Sequence, residues 1–494
     1  MSEQEVKNTT PRPKKKRRPR WQRILIHYWP LIRLCLLALL CLTLIIMAIV
    51  ALVKSASKDK NLPEEDPSSL ADTVQPEDSE AEAAAAAEKA AQTAISEANI
   101  LAAGYDYTAA IDHLKKVAGW SDNALLTAKI AEYEAADAAL VPYEAMSTIT
   151  HVYFQSLIVD TDRAFDNDEQ TNNYNMYYTT VEEFKAILES LYENDYVLVS
   201  PYDVVVAYQE GENEFDSYKY GEIRLPAGKT PIMMSQDQVN YYGTMIGNAD
   251  GSNETPVYAS AEGDGFASRL VVTKDGEIAC EYMDASGTVT VGDYDLIPIL
   301  ESFIEKHPDF SYHGARAIIA VSGYEGVFGY RTKPSYETAL GAENYAKEVE
   351  GAKEVAQWLR DHGWDLASMT YGMPNYGKVD SVHVDADSTK FEETVETIIG
   401  ETDILVFPNG SDIAGLEMYD GNNYKFVVLY EDGYRYFFNK DSTVSWHQIG
   451  ASYFRGNRRS LDGYRLFHFP ESVEDLVDAE EILDSARPLP VPGP

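Results

Sequence analysis

The feature that most constrains this chain is an alternation of short apolar strands with amphipathic helices between about residues 149 and 438. Ile149–Val159 is β-branched and aromatic, the composition of a strand. Thr180-Val181-Glu182-Glu183 then opens a helix by a capping-box pattern, and Phe184, Ile187, Leu188 and Leu191 recur at helical spacing. Asn194-Asp195 stops that helix, and Tyr196–Val199 is the next strand. The rhythm continues at 296–306, 315–321, 345–361, 391–398, 403–407 and 426–438. Parallel strands need long crossovers and helices supply them, so the alternation predicts an α/β fold, a parallel sheet or barrel with helices outside.

One strand carries the chemistry. In Thr230-Pro231-Ile232-Met233-Met234-Ser235-Gln236-Asp237-Gln238 an apolar run ends in polar residues, as does a barrel strand that delivers side chains to the C-terminal mouth. Its partner, Trp364-Asp365-Leu366-Ala367-Ser368-Met369-Thr370-Tyr371-Gly372-Met373, lies about 130 residues on. Together they resemble the first two motifs of the polysaccharide deacetylases, the NodB-homology family (carbohydrate esterase family four). The resemblance covers residues 147–470 and implies a distorted (β/α) barrel that hydrolyses non-peptide C–N bonds with a divalent metal such as zinc. There the first strand ends in Asp-Asp, a general base followed by a metal ligand, and the second motif places two His four residues apart.

In this chain Asp237 falls on the base position, while Gln238, Met369 and Met373 fall on the three ligand positions. Gln155 stands where the family often has a His on the first strand. Leu405-Val406-Phe407-Pro408-Asn409-Gly410 keeps the Pro and Gly of the third motif but not the Arg that would anchor Asp237. Trp446–Ile449 and Arg458–Arg465 fall where the family places wall residues, and His468 lacks the context of its late catalytic His. By this resemblance Tyr371, Asn409 and Trp446 are the candidate substrate contacts.

A metal-dependent deacetylase needs a cation that polarises the carbonyl and lowers the pKa of bound water. Zinc takes imidazole, carboxylate or thiolate, whereas Gln offers a neutral oxygen and Met a neutral thioether. The expectation is therefore no cofactor, with the methionines packing the space the ligands would fill. Asp237 is left as a vestigial base, an acceptor for a sugar hydroxyl, or a cap for the adjacent loop. Two other cation sites are conceivable, Cu(I) among Met233, Met234, Met245, Met369 and Met373, and an acidic site at His383-Val384-Asp385-Ala386-Asp387.

The rest of the chain sets the context. Residues 1–33 are polar and basic, and Leu34–Val53 is a stretch of 20 residues without a charge. At 1.5 Å per residue such a helix spans about 30 Å of hydrocarbon. The cationic flank places the N-terminus in the cytoplasm and the remainder outside a single-pass anchor. Residues 54–79 read as a flexible linker and residues 80–141 as a helical stalk, with helices at about 80–103, 107–118 and 121–139 and a possible role in docking a protein partner. Ala103–Leu114 is similar to half of a tetratricopeptide unit, but no further repeats follow. An insert at about 243–295 contains Arg269–Val272, Glu277–Tyr282 and Thr288–Val291, expected as a β-hairpin flap beside the barrel mouth. Residues 471–494 form the C-terminal tail, in which Arg487-Pro488-Leu489-Pro490-Val491-Pro492 is expected to be extended and exposed. Beyond residue 54 the chain carries 30 Lys+Arg against 78 Asp+Glu, which argues against nucleic acid as a partner. Cys35, Cys41 and Cys280 are the only cysteines, so no disulfide forms within the region after the anchor. The function these features point to is a membrane-anchored, extracytoplasmic, deacetylase-like protein with impaired catalysis that binds or helps remodel cell-envelope glycan. An active deacetylase or esterase with a non-standard site, and an interaction scaffold, are the alternatives.

Overall fold

A strand buried on both faces belongs in the middle of a sheet, and in Thr230–Gln236 only Thr230 is partly exposed. The computed structural model describes residues 76–208, 217–247, 254–441 and 444–494. Its main sheet contains β1 (Thr150–Phe154), β2 (Tyr196–Leu198), β3 (Thr230–Gln236), β4 (Ile318–Val321), β5 (Asp365–Ser368), β6 (Ile404–Val406), β7 (Tyr436–Phe438), β8 (His447–Ile449), β9 (Phe454–Gly456) and β10 (Arg459–Ser460). The order is β8-β9-β7-β6-β5-β4-β3-β1-β10, with β2 also on β3, and every pairing is parallel except β8 with β9. The two ends of this order are almost one strand. Only Asn457 and Arg458 separate β9, which lies beside β7, from β10, which lies beside β1. The sheet is thereby curled, as a distorted barrel requires.

Alternation along each strand divides the core in two. Met233, Ile318, Ala320, Ala367, Ile404, Val406, Tyr436, Phe438 and Phe454 share the inner cluster. Their neighbours Ile232, Met234, Ile319, Val321 and Leu366 face an outer cluster with Phe184, Ile187, Leu188 and Leu191 of the helix Val181–Glu193. That helix opens with the expected capping box, Thr180 and Glu183 satisfying each other's backbone amides.

Three expectations need correction. The helices after Pro76 (Pro76–Ala103, Tyr107–Lys115, Ala124–Ala139) match the expected segments, but they are no free-standing stalk, because Ala86–Pro494 forms one compact unit. The Tyr105 ring joins the inner cluster, its hydroxyl donates to the Asp309 carbonyl at 2.9 Å, and Arg224 pairs with Asp137 at 3.0 Å. The insert forms the three expected strands, Arg269–Val272, Ile278–Met283 and Val289–Gly292, as an antiparallel sheet, but it packs into the outer cluster rather than standing as a flap. Its turns use Gly276 and Gly287 at φ 88° and 81°, and Leu270, Ile278 and Cys280 are buried in the outer cluster. The tail is not exposed along its length, since Arg487 and Val491 are buried. The Arg487 guanidinium donates to both carboxylate oxygens of Glu183 at 2.9 and 2.6 Å, and to the Asn175 carbonyl at 2.6 Å. The expected membrane span at Leu34–Val53 lies outside the described residues, among which no helix is long and apolar enough to cross a membrane.

Removing one partner of a buried ion pair strands the other without solvent or counter-charge. Truncation after Asp484 should therefore lower the unfolding free energy by about 3–5 kcal/mol, measured by urea denaturation. A tail lying free in solvent would give no change.

Candidate functional site

The inward parity of the strands continues past their ends and sets a layer of side chains at the C-terminal mouth. Tyr153 follows His151 on β1, Asp237 follows Met233 and Ser235 on β3, and Met369 follows Ala367 on β5. Lys440 follows Tyr436 and Phe438, and Arg458 follows Phe454 and Gly456. Asp237 and Arg458 are both buried, and the guanidinium grips the carboxylate at both oxygens, 2.5 and 3.0 Å. The backbone amide of Asp237 donates to the Phe154 carbonyl at 2.8 Å, which ties the end of β3 to the end of β1.

Behind the pair runs a second row of contacts. Arg458 also donates to Ser235 Oγ at 3.0 Å and to the Asn439 carbonyl at 3.2 Å, and Ser235 Oγ lies 2.9 Å from His151 Nε2. The arginine lies over the Tyr153 ring at 4.7 Å, and the Lys440 ammonium approaches the same ring at 5.5 Å. Burial pushes the Tyr153 phenol up, so it stays protonated, and burial lowers the Lys440 amine despite the nearby Asp237 and Asp462. Asp462 is raised by burial although its carboxylate caps the helix Gly463–His468 through the Arg465 amide at 2.8 Å. His151 is driven well below the usual histidine range, first by burial and then by the Arg458 and His447 charges.

A second buried carboxylate shapes the loop after β3. Asp295 accepts from Gln236 Nε2 at 2.7 Å, the Tyr241 hydroxyl at 2.6 Å and the Leu157 amide at 3.0 Å. The loop turns back through Gln238 and Tyr241, both in the left-handed region at φ 58° and 51°.

The three positions where the resemblance expects metal ligands do not form a donor set. Met369 is buried with the inner cluster, whereas Met373 packs on the outer one and its sulfur accepts the Tyr242 hydroxyl at 3.4 Å. Gln238 is partly exposed on its strained backbone. Among the described residues no group of three His, Cys, Asp or Glu side chains could hold a metal ion. With neutral amide and thioether atoms divided between two faces, the residues present do not fit a zinc centre. The five methionines are likewise divided, Met233 with Met369 inside and Met234, Met245 and Met373 outside. In the acidic segment Asp387 accepts from the Tyr371 and Gly372 amides at 2.9 and 2.8 Å and from the Tyr376 hydroxyl at 3.0 Å, so it anchors a loop. His383 is exposed and pairs with Asp380 at 2.7 Å.

Tyr371, Asn409 and Trp446 are not brought together around Asp237. Tyr371 is buried on the outer side, its ring against Gly323 and beneath the Lys390 ammonium at 4.1 Å. Asn409 is exposed on a turn at φ 52°. Trp446 donates to Asp441 at 3.0 Å and lies over Arg455 at 5.1 Å. Gln155 Nε2 reaches only the Tyr177 carbonyl, at 3.5 Å, and His468 holds the Val491 carbonyl of the tail at 2.8 Å. The residues that motif reasoning passed over are Tyr153 and Lys440, with Arg458 given a wall position instead of the anchor of Asp237. Counting every second residue along β1 and past the ends of β7 and β9 would have found all three.

No family model matches the chain and no curated protein matches it. Among solved structures, the deacetylase PplD of Streptococcus pyogenes in complex with acetate is similar over 66% of this chain and 94% of its own, at 11% identity and a TM-score of 0.33.

Because His151 stays neutral when folded, acid favours the unfolded chain, whose histidine takes up a proton below about pH 6.5. Stability present above that pH is lost as the pH falls. His151→Gln should remove roughly 2 kcal/mol of the loss between pH 7.5 and pH 5. Urea unfolding at both pH values checks this, and equal losses in the two proteins would contradict it.

Proposed function

We propose that this chain is a membrane-anchored, extracytoplasmic member of the NodB-homology type, a distorted (β/α) barrel that binds cell-envelope glycan without hydrolysing it. The observation that carries this reading is the state of Asp237. It stands at the strand end where the family's base would stand, but it is buried and gripped at both oxygens by Arg458. A general base needs a reachable proton and an activated water, and the neighbouring Gln238, Met369 and Met373 provide no ligand set to activate one. Binding is then the property left to the barrel mouth, where Tyr153 and Lys440 offer polar contacts for sugar hydroxyls.

One observation favours a second reading, an active deacetylase or esterase with a non-standard site. Arg458 anchors Asp237 from a different strand than the third motif does, and an anchored carboxylate is what a base in this position requires. The two readings separate in one experiment. The purified chain is titrated with envelope oligosaccharides, with Trp fluorescence reporting binding and acetate release reporting hydrolysis. Saturable binding without acetate supports the proposal. Acetate release that Asp237→Asn abolishes selects the second reading. If no glycan fraction gives a saturable signal, glycan binding is wrong.

A further inference from the structure

The charges of the mouth layer do not cancel pair by pair. Asp237 and Arg458 neutralise each other through two hydrogen bonds, and both are buried. Asp462 points its carboxylate at the start of its own helix, where it accepts from the Arg465 amide. Lys440 has no carboxylate within ion-pair distance among the described residues, and its ammonium approaches only the face of Tyr153, at 5.5 Å. It is half-buried rather than free in solvent. A lysine ordinarily extends from such a position to keep its ammonium hydrated.

The backbone holds Lys440 in place. A Cβ added at Gly410, which has φ 68°, would meet the Lys440 carbonyl at 2.6 Å and its side-chain stem at 2.7 Å, so the turn after β6 is pressed against the lysine. The preceding residue, Asn439, gives its carbonyl to Arg458 and its amide to the Gly456 carbonyl. The stem therefore leaves the sheet between two fixed backbones. Beside it the Tyr153 phenol remains a protonated hydroxyl in the working pH range. An ammonium with no carboxylate within ion-pair distance, next to a phenol, suits a ligand that brings a carboxylate of its own.

We propose that the mouth holds an anion subsite in which Lys440 Nζ, with the Tyr153 hydroxyl beside it, takes the carboxylate of an acidic sugar. This rests on the glycan reading above and names the class of glycan. A carboxylate places one oxygen on the ammonium and leaves the other for the phenol. The groups facing Lys440 are Asp237 and Arg458, already paired, together with Asp462 and Tyr153. Asp462 also acts on Lys440 electrostatically without reaching ion-pair distance, so the ammonium's open contact positions, not a net charge, are what the anion takes. Burial has also lowered the lysine, so affinity should decline at alkaline pH before an ordinary surface lysine would titrate.

The test compares a uronic-acid oligosaccharide with its carboxyl-reduced and phosphorylated counterparts by calorimetric titration of the full-length chain. The wild type should prefer the carboxylate over the reduced form by about tenfold, the value of one charge-assisted contact. Lys440→Met should erase that preference and Lys440→Arg should keep most of it, with circular dichroism showing that both variants are folded. If Lys440→Met does not fold, Lys440→Gln and the alkaline pH profile of the wild type carry the comparison. Equal binding of the charged and reduced forms overturns the anion subsite and leaves the glycan reading standing. Binding of none of the three overturns both. A preference that survives loss of the lysine removes Lys440 from the site, and tighter binding of the phosphorylated form overturns the carboxylate assignment.

Discussion

The buried pair of Asp237 and Arg458 is the interaction on which the mouth of this barrel depends. Arg458 lies in the two-residue gap between β9 and β10, where the first and last parts of the curled sheet meet. From there it reaches across to the end of β3 and also bonds Ser235 and the Asn439 carbonyl. One guanidinium therefore joins β3, the end of β7 and the seam. Taking two such charges out of water costs several kcal/mol per ion, and only close, saturated geometry offsets it. Here both carboxylate oxygens accept, and the guanidinium also donates to the Asn439 carbonyl and to Ser235 Oγ.

That arrangement is what supports the proposal that the site binds without hydrolysing. The Asp237 carboxylate is buried with each oxygen accepting from the guanidinium, so its negative charge is balanced before any ligand arrives. The ligand positions beside it have been given over to packing. Met369 fills the inner cluster and Met373 the outer one, so the four-residue spacing does not bring the two side chains to one point. On the proposed reading, the hydroxyl and ammonium chemistry of the mouth serves recognition of a polar ligand.

Much of the architecture was legible in the sequence, because alternation of strand and helix is a local signal with one dominant long-range solution. The capping box at Thr180–Glu183 and the strands of the insert were readable for the same reason, since turn and cap chemistry acts within a few residues. Long-range charge pairing was not readable. Arg487 meets Glu183 across 304 positions and Arg458 meets Asp237 across 221, and nothing in the local composition announces either contact. The Pro-rich tail looked extended and solvated, yet Arg487 draws it into the core. The helices after Pro76 looked like a spacer because their faces are Ala-rich, but Tyr105 at their first turn closes against the inner cluster. Arg458 was seen in the sequence as a wall residue, because the family frame sought the anchor of Asp237 in the third motif.

A double-mutant cycle on Asp237 and Arg458 tests the account most directly, using Asp237→Asn, Arg458→Met and the two together in urea unfolding. Each single change should cost about 3–5 kcal/mol by leaving one buried charge or its partner uncompensated, while the double variant should cost much less than their sum. Additive losses, or single changes of less than about 1 kcal/mol as for an exposed pair, would contradict the claim that this pair organises the mouth.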